Sequence, residues 1–527
     1  MNTTEAIRQG KTALGIEFGS TRVKAVLTGP DHQPIAVGAH DWHDNLVDGV
    51  WTYSMDQIHQ ALTSCYQSLK ADVRSRYGET LTTVGAIGVS AMMHGYLAFD
   101  KAGKLLVPFR TWRNTNTGAA AKALSELFSF NMPLRWSLSH LYQCVLDGEE
   151  HLSRLDFLTT LAGFVHWRLT GCKVLGVGDA SGMMPIDPVT GDFDEERVAA
   201  FDKLVAPKAY PWHLRDILPE VLPAGTPAGV LTEEGALLLD PSGHLRAGIP
   251  LCPPEGDAGT GMVATNAVRP RTGNVSAGTS DFAMVVVDKK LKVHREIDMV
   301  TTPVGKPVAM VHCNNCTSDI NAWVNLFRES IDLFGFTVDT NTLYTKLFKV
   351  ALEGDNDCGD LLSYNYYSGE GVTDLDQGRP LFIRKADSAF SLANFMRTHL
   401  YSALATLKIG MDILSEENVE IDKIYGHGGF FKTEGVGQRI LSAAINAPVS
   451  VMKTAGEGGP FGMALLGAYA LWKDEGETLE DYLDHKVFAS CESSTIMADQ
   501  PEVDGFNKFI SVYKYCLDVE KLAIERL

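Results

Sequence analysis

The chain has 527 residues, of which 45% are hydrophobic and 21% are charged, and its formal net charge at pH 7 is −19. One hydrophobic core rarely serves more than about 250–300 residues, so this length predicts more than one domain. The acidic charge argues against binding to nucleic acid or to an anionic membrane surface, because both partners need a basic face.

Nothing in the sequence predicts a membrane span or an export signal. The longest apolar candidate, residues 460–472, is shorter than the roughly 17–25 residues that cross a bilayer, and the amino terminus has no secretory h-region. The nine cysteines are odd in number and scattered, which favours a reducing cytoplasm. Cys313 and Cys316 are the only close pair; we expect buried loop thiols, with a metal or redox pair as the alternative.

The first lobe is predicted to run from residue 1 to residue 267. It opens with a β-hairpin over residues 15–27. A helix over residues 55–77 and a buried strand over residues 84–90 come next. Residues 118–215 are predicted to be mostly helical. This alternation of strands and helices is typical of an α/β domain.

The second lobe is predicted to run from residue 268 to residue 527, and it opens with another strand-turn-strand segment over 273–286. The remaining elements predicted in it are a helix over 392–414, a strand over 423–425, a helix over 436–445, a strand over 449–452 and a small-residue helix through 464–470.

Both lobes carry the same kind of polar turn between two apolar strands. The first turn is Gly19-Ser20-Thr21 and the second is Gly278-Thr279-Ser280. Glycine lets a ligand approach the backbone N–H groups and the hydroxyls add donors, so such a turn is a good anion site. One such turn is common in ordinary proteins. Two in the same frame predict related lobes that hold one polyphosphate, which is the plan of an ATP-dependent phosphotransferase.

An acidic residue, Asp257, lies between small residues just before the second hairpin. A carboxylate presented in this way can accept the proton of a substrate hydroxyl that attacks phosphorus, which is typically worth about 10²–10⁴-fold in rate. The alternative is a turn residue that caps a helix starting at Ala258. On the local sequence alone, the cap is favoured.

Two further segments follow predicted strands, where ligands bind in α/β sheets. Met92-Met93-His94-Gly95 offers a histidine for a sugar hydroxyl and a methionine for the carbon face, although a structural histidine is the commoner case. Gly426-His427-Gly428-Gly429 offers bare backbone against which an adenine ring can lie, and an ordinary strand-to-helix turn is equally compatible with it.

Together these segments resemble the FGGY family of carbohydrate kinases, within the actin/Hsp70/hexokinase-like superfamily, and the resemblance covers most of the chain. The segments that carry it are residues 15–27, 167–171, 179–182, 190–196, 225–232, 256–258, 278–280, 428–429 and 457–468.

The resemblance implies an α/β fold with two ribonuclease-H-like lobes around a deep cleft, and ATP-dependent phosphorylation of a sugar hydroxyl. Sugar would lie against the first lobe, while ATP and Mg²⁺ would lie against the second. Asp257 would be the catalytic base. The two turns would surround the phosphates, and Gly428 and Gly429 would border the adenosine. Met93-His94-Gly95 is similar to the sugar-binding segment of the xylulokinase branch, which implies a ketopentose or a related ketose or polyol.

Two departures from the family pattern bear on the site. Glu17 stands where the family usually has the Asp that holds Mg²⁺ through water, and its side chain is one methylene longer. The family's Trp-x-Asp-x-Arg sugar contact appears here as Trp112, Asn114 and Asn116, which lack both charges but can still donate and accept hydrogen bonds. The resemblance therefore does not specify xylulose.

Two alternatives to a kinase remain open on the sequence. One is a regulatory protein that binds sugar or ATP without transferring phosphate, suggested by Glu17, Asn114 and Asn116; retention of Asp257 argues against it. The other is a non-sugar ATPase of the same superfamily, as chaperones are. The expected sugar site at Met93-His94-Gly95 argues against it, and so does the lack of a segment that we expect to bind peptide. The sequence does not decide the oligomeric state, and a homodimer is one assembly that it allows.

Overall fold

A computed structural model describes residues 1–452 and 458–527. The chain divides into two compact units. Unit 1 contains residues 1–268, 298–308 and 458–490, and unit 2 contains residues 269–297, 309–452 and 491–527. Glu457, one of the residues that carry the family resemblance, lies outside the described residues.

Unit 1 is built around a five-stranded sheet in which the strand Ala13–Phe18 is central. That strand pairs antiparallel with Arg22–Thr28, which pairs antiparallel with Pro34–Asp41. On its other side it pairs parallel with Ala86–Ala91, which in turn pairs parallel with Glu255–Gly256. Numbered along the chain, the strands of this sheet lie in the order 3-2-1-4-5.

The central sheet of unit 2 repeats this arrangement. Its first strand, Thr272–Ala277, pairs antiparallel with Asp281–Val286 and parallel with Lys423–His427, and the latter pairs parallel with Val449–Met452. With Pro307–Cys313 on the far side of the second strand, five strands of this seven-stranded sheet lie in the same spatial order, 3-2-1-4-5, and Ser493–Ile496 pairs antiparallel with the last of them. The predicted α/β class with two related lobes is confirmed.

Local sequence accounts for several of the helices that cover the unit 1 sheet. The helix Met55–Tyr77 begins at a capping box in which Ser54 and Gln57 satisfy each other's backbone N–H groups, and it ends at Gly78 in the left-handed conformation. The α-helices of unit 1 are Thr3–Arg8, Met55–Tyr77, Gly118–Phe128, Ser137–Asp147, Leu161–Thr170, Val177–Ala180, Glu195–Val205, Leu214–Ile217, Glu233–Leu239, Asp257–Ala264, Gly458–Trp472 and Leu479–Tyr482. Its short outer strands are Asn45–Val47, Val50–Thr52, Leu97–Phe99, Phe157–Thr159, Val174–Gly176, Glu220–Leu222 and Asp298–Thr301.

Unit 2 differs from the sequence prediction at the helix expected over residues 392–414. The structure has two helices there, divided at Leu404, where φ is −109° and ψ is 4°. Leu404 is fully buried and no Pro or Gly is adjacent, so tertiary packing sets this break. The α-helices of unit 2 are Ser318–Leu333, Thr340–Ala351, Leu392–Ala403, Ala405–Glu416, Val436–Ile445, Gln500–Tyr515 and Leu517–Arg526, and its other strands are Leu361–Tyr364, Leu381–Arg384 and Ser493–Ile496.

The helix Gly458–Trp472 was expected in the second lobe, and it packs instead on the central strand of unit 1. The crossing is close because it is built from glycines. A Cβ on Gly15 would lie 2.1 Å from the Pro460 carbonyl oxygen, and one on Gly462 would lie 1.9 Å from that of Thr260. The segment 298–308, also expected in the second lobe, belongs to unit 1 as well. These two corrections reflect contacts between residues far apart in the chain.

None of the helices within the described ranges is long and apolar enough to cross a membrane.

Candidate active site

Three parallel strands of unit 1 end at the same edge of its sheet. They are Ala13–Phe18, Ala86–Ala91 and Glu255–Gly256, and their register pairs Phe18 with Ala91 and Ala91 with Gly256. The carboxyl ends of parallel strands are where α/β sheets bind ligands. The segments that leave the sheet at this edge are residues 19–21, residues 92–95 and Asp257.

Asp257 is the first residue of the helix Asp257–Ala264, and its side chain does not cap that helix. Gly256 occupies the N-cap position, so the helix-cap interpretation of Asp257 is wrong. One carboxylate oxygen, Oδ1, accepts a hydrogen bond from the Met93 N–H at 3.3 Å. Burial raises the pKa of Asp257 to about 6. Asp257 is therefore a partly buried carboxylate with a raised proton affinity, held beside residues 93–95.

Glu17 lies close to Asp257 and also has a raised proton affinity. Burial raises the pKa of Glu17 to about 8, and the charge of Asp257 adds to the effect. Room for this carboxylate depends on Gly459, since a Cβ there would lie 1.4 Å from Glu17 Oε2. Two neighbouring carboxylates repel each other when both are ionised, and a cation bound between them relieves this repulsion.

The turn Gly19-Ser20-Thr21 is held from one side through its carbonyl groups. Trp42 Nε1 donates to the Gly19 carbonyl at 2.7 Å, and the Tyr53 hydroxyl donates to the Ser20 carbonyl at 2.6 Å. The Trp42 and Tyr53 rings stack on each other with centroids 4.0 Å apart. The Gly19 N–H closes the turn on the Arg22 carbonyl at 3.1 Å.

The turn Gly278-Thr279-Ser280 of unit 2 is held in the same way by different groups. The Thr317 N–H and its hydroxyl donate to the Gly278 carbonyl at 3.0 and 2.7 Å, and the Cys316 N–H donates to the Thr279 carbonyl at 3.0 Å. The Gly278 N–H closes the turn on the Ser280 carbonyl at 2.9 Å. As in unit 1, the first two carbonyls of the turn are fixed.

This shared pattern leaves the same backbone donors available in both turns. Within the parts of the chain that the structure describes, the N–H groups of Ser20, Thr21, Thr279 and Ser280 donate to no other group. Phosphate oxygens suit successive free N–H groups of a turn as hydrogen-bond acceptors. Each unit thus has one turn with free backbone donors, and the phosphate-binding role of both turns stays a prediction.

Gly428 and Gly429 follow the strand Lys423–His427 at the corresponding edge of the unit 2 sheet. Gly428 has φ +99°, and a Cβ on it would lie 2.4 Å from the Ala277 carbonyl oxygen, so glycine is required there. Gly429 has no atom within 4 Å of its Cβ position. A flat adenine ring can lie against such an open backbone surface. Contact of Gly428 and Gly429 with adenosine stays a prediction.

Met93-His94-Gly95 takes a strained path at the edge of the unit 1 sheet. His94 has φ +70° and Gly95 has φ +89°, and left-handed backbone at a non-glycine residue is concentrated at functional sites. The His94 ring stacks on Trp136, and its Nδ1 lies 3.0 Å from the Gly182 carbonyl oxygen. That contact orients the imidazole, and its predicted role in sugar binding is compatible with this geometry.

Trp112 and Asn114 occupy one loop but differ in what they contact. Trp112 Nε1 donates to the Ser20 hydroxyl at 3.1 Å, which joins the loop to the phosphate turn of unit 1. Asn114 Nδ2 donates to the Trp51 and Thr111 carbonyls at 2.8 and 3.0 Å, and its Oδ1 accepts from the Trp51 N–H at 2.9 Å. Both N–H groups of the Asn114 amide are thus used within the protein. A sugar hydroxyl at this position could therefore only donate a hydrogen bond to Asn114 Oδ1.

Sequence reasoning assigned no role to Asp179, which the structure places beside the candidate base. Its Oδ2 accepts a hydrogen bond from the Thr160 hydroxyl at 2.6 Å, and its Oδ1 is buried with no partner among the described residues. A Cβ on Gly256 would lie 3.2 Å from that oxygen. Burial raises the pKa of Asp179 to about 7, and the charge of Asp257 contributes.

Glu255 was also missed, although it directly precedes Gly256 and Asp257. Its carboxylate accepts the Gly178 and Asp179 N–H groups at 3.2 and 2.9 Å, and Gly176 makes room for it. Burial raises the pKa of Glu255 to about 8, and the charge of Asp179 adds to the effect. Glu255 therefore anchors the segment around Asp179 to the strand Glu255–Gly256, which directly precedes Asp257. The one sequence feature that could have indicated a role for Glu255 is its position two residues before Asp257.

The carboxylates of unit 1 suit a hard divalent cation and a proton transfer. Mg²⁺ prefers oxygen ligands and keeps several of its waters. Glu17 and Asp257 offer such oxygens, and their mutual repulsion would be relieved by a positive ion. The residues present therefore fit Mg²⁺, and the role of Glu17 as the residue that would hold it stays a prediction.

Two clusters that contain cysteine lie outside this site. Cys313 and Cys316 are both free and buried. Cys144, Glu149 and His151 have potential ligand atoms within 4.8 Å of one another. However, the Arg110 guanidinium already supplies a positive charge there, since it donates to Glu149 Oε2 at 2.6 Å and to Cys144 Sγ at 3.0 Å.

Comparison with known proteins finds relatives along most of the chain. A xylulose kinase of Haemophilus influenzae is 21% identical over 485 residues, which cover 90% of this chain and 93% of that protein. Two solved structures share the fold of this chain, each with a TM-score of 0.78, a sequence identity of 16% and coverage of 96% of this chain. One is a xylulose kinase from Rhodospirillum rubrum, and the match covers 99% of its chain. The other is a gluconate kinase from Lactobacillus acidophilus, and the match covers 98% of its chain. The model of the N-terminal domain of the FGGY family of carbohydrate kinases matches residues 12–263, and the model of its C-terminal domain matches residues 273–471. The chain belongs to the FGGY family of carbohydrate kinases.

Proposed function

We propose that this carbohydrate kinase transfers the γ-phosphoryl group of ATP to a hydroxyl of a small ketose or polyol, with a ketopentose such as xylulose as the leading class. The observation that carries the proposal is the hydrogen bond between Asp257 and the Met93 N–H, at 3.3 Å. It joins the proposed base to the proposed sugar-binding residues. The likeness to a xylulose kinase along 90% of the chain supports the same substrate class.

In the proposed reaction, the sugar hydroxyl attacks the γ-phosphorus. A new O–P bond forms, the bond from that phosphorus to the bridging oxygen of ADP breaks, and the hydroxyl proton passes to Asp257. Such transition states are loose, so the protein contributes mainly by positioning and by stabilising charge. The free N–H groups of residues 20–21 and 279–280 would donate to phosphate oxygens. Mg²⁺, when bound near Glu17, would neutralise part of the phosphate charge.

The direct test is ADP release measured against a panel of ketoses, polyols and sugar acids, with Mg²⁺ and ATP present. We expect stimulation by at least one ketose or polyol and none by the reaction mixture without sugar. A protein that binds ATP but shows no stimulation with any member of the panel would instead be the regulatory protein that the sequence left open.

The pH dependence of the reaction should report the ionisation of Asp257. The base must be deprotonated, and burial raises its pKa to about 6. With saturating Mg²⁺, which would keep Glu17 deprotonated, we therefore expect kcat/KM for the sugar to fall about tenfold per pH unit below pH 6 and to level off above it. A steady-state profile from pH 5 to pH 8 measures this. A flat profile across that range would contradict the assignment of this carboxylate as the base.

Glu17→Gln should raise the Mg²⁺ concentration needed for half-maximal rate by about tenfold or more, because an amide is a much weaker Mg²⁺ partner than a carboxylate. Glu17→Asp, which restores the usual family residue, serves as the matched control and should stay closer to the parent. Binding of Mn²⁺ in the presence of ATP, followed by electron paramagnetic resonance, checks the effect independently of turnover. Equal Mn²⁺ affinity in all three proteins would remove Glu17 from the metal site.

A further inference from the structure

The turn Gly278-Thr279-Ser280 of unit 2 is held from behind by four residues, 314–317, which we call the supporting loop. This loop connects a strand to a helix and is part of neither. Its Cys316 and Thr317 donate the three hydrogen bonds that fix the first two carbonyls of the turn. The position of the turn therefore depends on the contacts that hold the supporting loop.

Asn315 of the supporting loop is buried and uses its side-chain amide to bind a neighbouring segment, residues 365–370. Its Oδ1 accepts the Tyr367 and Ser368 N–H groups at 2.9 and 3.0 Å. Its Nδ2 donates to the Ser368 carbonyl at 3.1 Å and to Glu370 Oε2 at 3.2 Å. These bonds use both hydrogens and both acceptor sites that an amide offers.

Glu370 connects the same segment to the backbone of the supporting loop. Its Oε2 accepts the Asn314 N–H at 2.9 Å in addition to the Asn315 amide. A further contact joins the same two segments, since Asn365 Nδ2 donates to the Cys316 carbonyl at 2.9 Å. Glu370 is only 1% exposed. A buried acceptor that serves two donors is costly to remove, because both donors then lose their partner.

The hydrogen-bond capacity of Glu370, rather than its charge, is what the supporting loop needs. Burial raises the pKa of Glu370 to about 7, so the carboxyl group is partly protonated near neutral pH. Its Oε1 is buried and has no hydrogen-bond partner among the described residues, so a proton there leaves Oε2 able to accept both donors. Gln has the same length and an acceptor oxygen, whereas Asp keeps the charge but is one methylene shorter.

We propose that Glu370 and Asn315 are positioning residues for the phosphates of ATP. They hold the supporting loop, and the loop holds the turn so that the free N–H groups of Thr279 and Ser280 face a phosphate. Each acts through the backbone of residues 316–317 rather than by touching the nucleotide. This inference rests on the proposed function, because it takes the unit 2 turn as a phosphate site. A misplacement of about 1 Å in a positioning group can cost about 10²-fold.

The test is calorimetric titration of the full chain with ATP and, separately, with adenosine, which has no phosphate. We expect Glu370→Ala to weaken ATP binding at least about tenfold and adenosine binding by less than about threefold, because only the phosphates contact the turn. Glu370→Gln should bind both ligands within about threefold of the parent. Glu370→Asp should resemble Glu370→Ala, and it carries the test if the alanine variant does not fold. A purely structural role would lower both affinities together or neither.

Glu520→Ala is the matched control, because Glu520 is a buried carboxylate of unit 2 with a similar pattern of contacts. Its Oε1 accepts the Arg379 N–H at 2.6 Å, and its Oε2 is buried without a partner in the parts of the chain that the structure describes. Removing it deletes a similar anchor but leaves the supporting loop in place. We therefore expect its ATP affinity to stay within about threefold of the parent, whatever its effect on the urea midpoint.

A second variant tests whether the two residues act together. Asn315→Ala should weaken ATP binding like Glu370→Ala, and the double variant should be no more than about threefold weaker than the weaker single variant, because both side chains hold one loop. Unchanged ATP affinity in both single variants of a parent that binds ATP would overturn this inference alone. Equal losses of ATP and adenosine affinity would also overturn it. A parent that binds no ATP would contradict the proposed function itself, and with it this role of the two residues.

Discussion

Replacing Asp257 with Asn is expected to lower kcat by about 10²–10⁴-fold, because the amide cannot accept the proton of the attacking hydroxyl. Asn retains the shape of the side chain and can still accept the Met93 N–H, so the surrounding backbone has no reason to move. ATP affinity should change by less than about threefold, since the free N–H donors of both phosphate turns remain. Single-turnover kinetics and calorimetric titration with ATP measure the two quantities separately.

Asp179→Asn provides the control for this variant. Asp179 is a second buried carboxylate of the same region, and an amide in its place can still accept the hydrogen bond of the Thr160 hydroxyl. We expect its kcat to stay within about tenfold of the parent, as befits a group that does not take the proton. If Asp257→Asn kept near-normal turnover while Asp179→Asn lost it, Asp179 and not Asp257 would be the base.

Gly15→Ala is expected to cause the largest loss of stability, at least about 3 kcal/mol, because overpacking against backbone has little means of relief. Its new methyl group would lie 2.1 Å from the Pro460 carbonyl oxygen and 2.4 Å from the Ala464 nitrogen. The helix Gly458–Trp472 would have to move away from the central strand. Urea unfolding followed by circular dichroism measures the change.

The matched control is Gly118→Ala, at the start of the helix Gly118–Phe128. A Cβ there meets no atom within 4 Å, and the residue has no positive φ. Alanine should therefore leave stability unchanged or raise it by about 0.4–1 kcal/mol, through the lower entropy of the unfolded chain. Equal urea midpoints for Gly15→Ala and Gly118→Ala would show that the crossing is looser than the structure indicates.

Local features of the site were accessible from the sequence because they depend on residues close together in the chain. Each predicted phosphate turn lies between two strands that pair with each other directly. A glycine followed by two hydroxyl residues between apolar strands is therefore enough to identify the turn from the sequence. Five strands of each central sheet share one spatial order, which agrees with the two related lobes that the repeat of these hairpins predicted. The site roles of Met93, His94, Trp112 and Asn114 remain predictions that the proposed experiments address.

Other features depended on contacts between distant segments. The local sequence favoured Asp257 as a helix cap, whereas the structure gives that position to Gly256 and directs Asp257 to Met93. The Asn114 amide joins its loop to Trp51, 63 residues earlier, a contact that the sequence did not indicate. Glu255 and Asp179 are 76 residues apart, so neither one indicated the other.

By itself, the sequence determined the α/β class, the two related lobes and membership of a sugar kinase family, since these follow from short segments whose residues are close together in the chain. Only the tertiary structure decided that residues 298–308 and 458–490 join unit 1 and that Glu17 reaches its position across the bare backbone of Gly459. The physical reason is that close packing depends on shape complementarity between segments hundreds of residues apart, which no local pattern encodes.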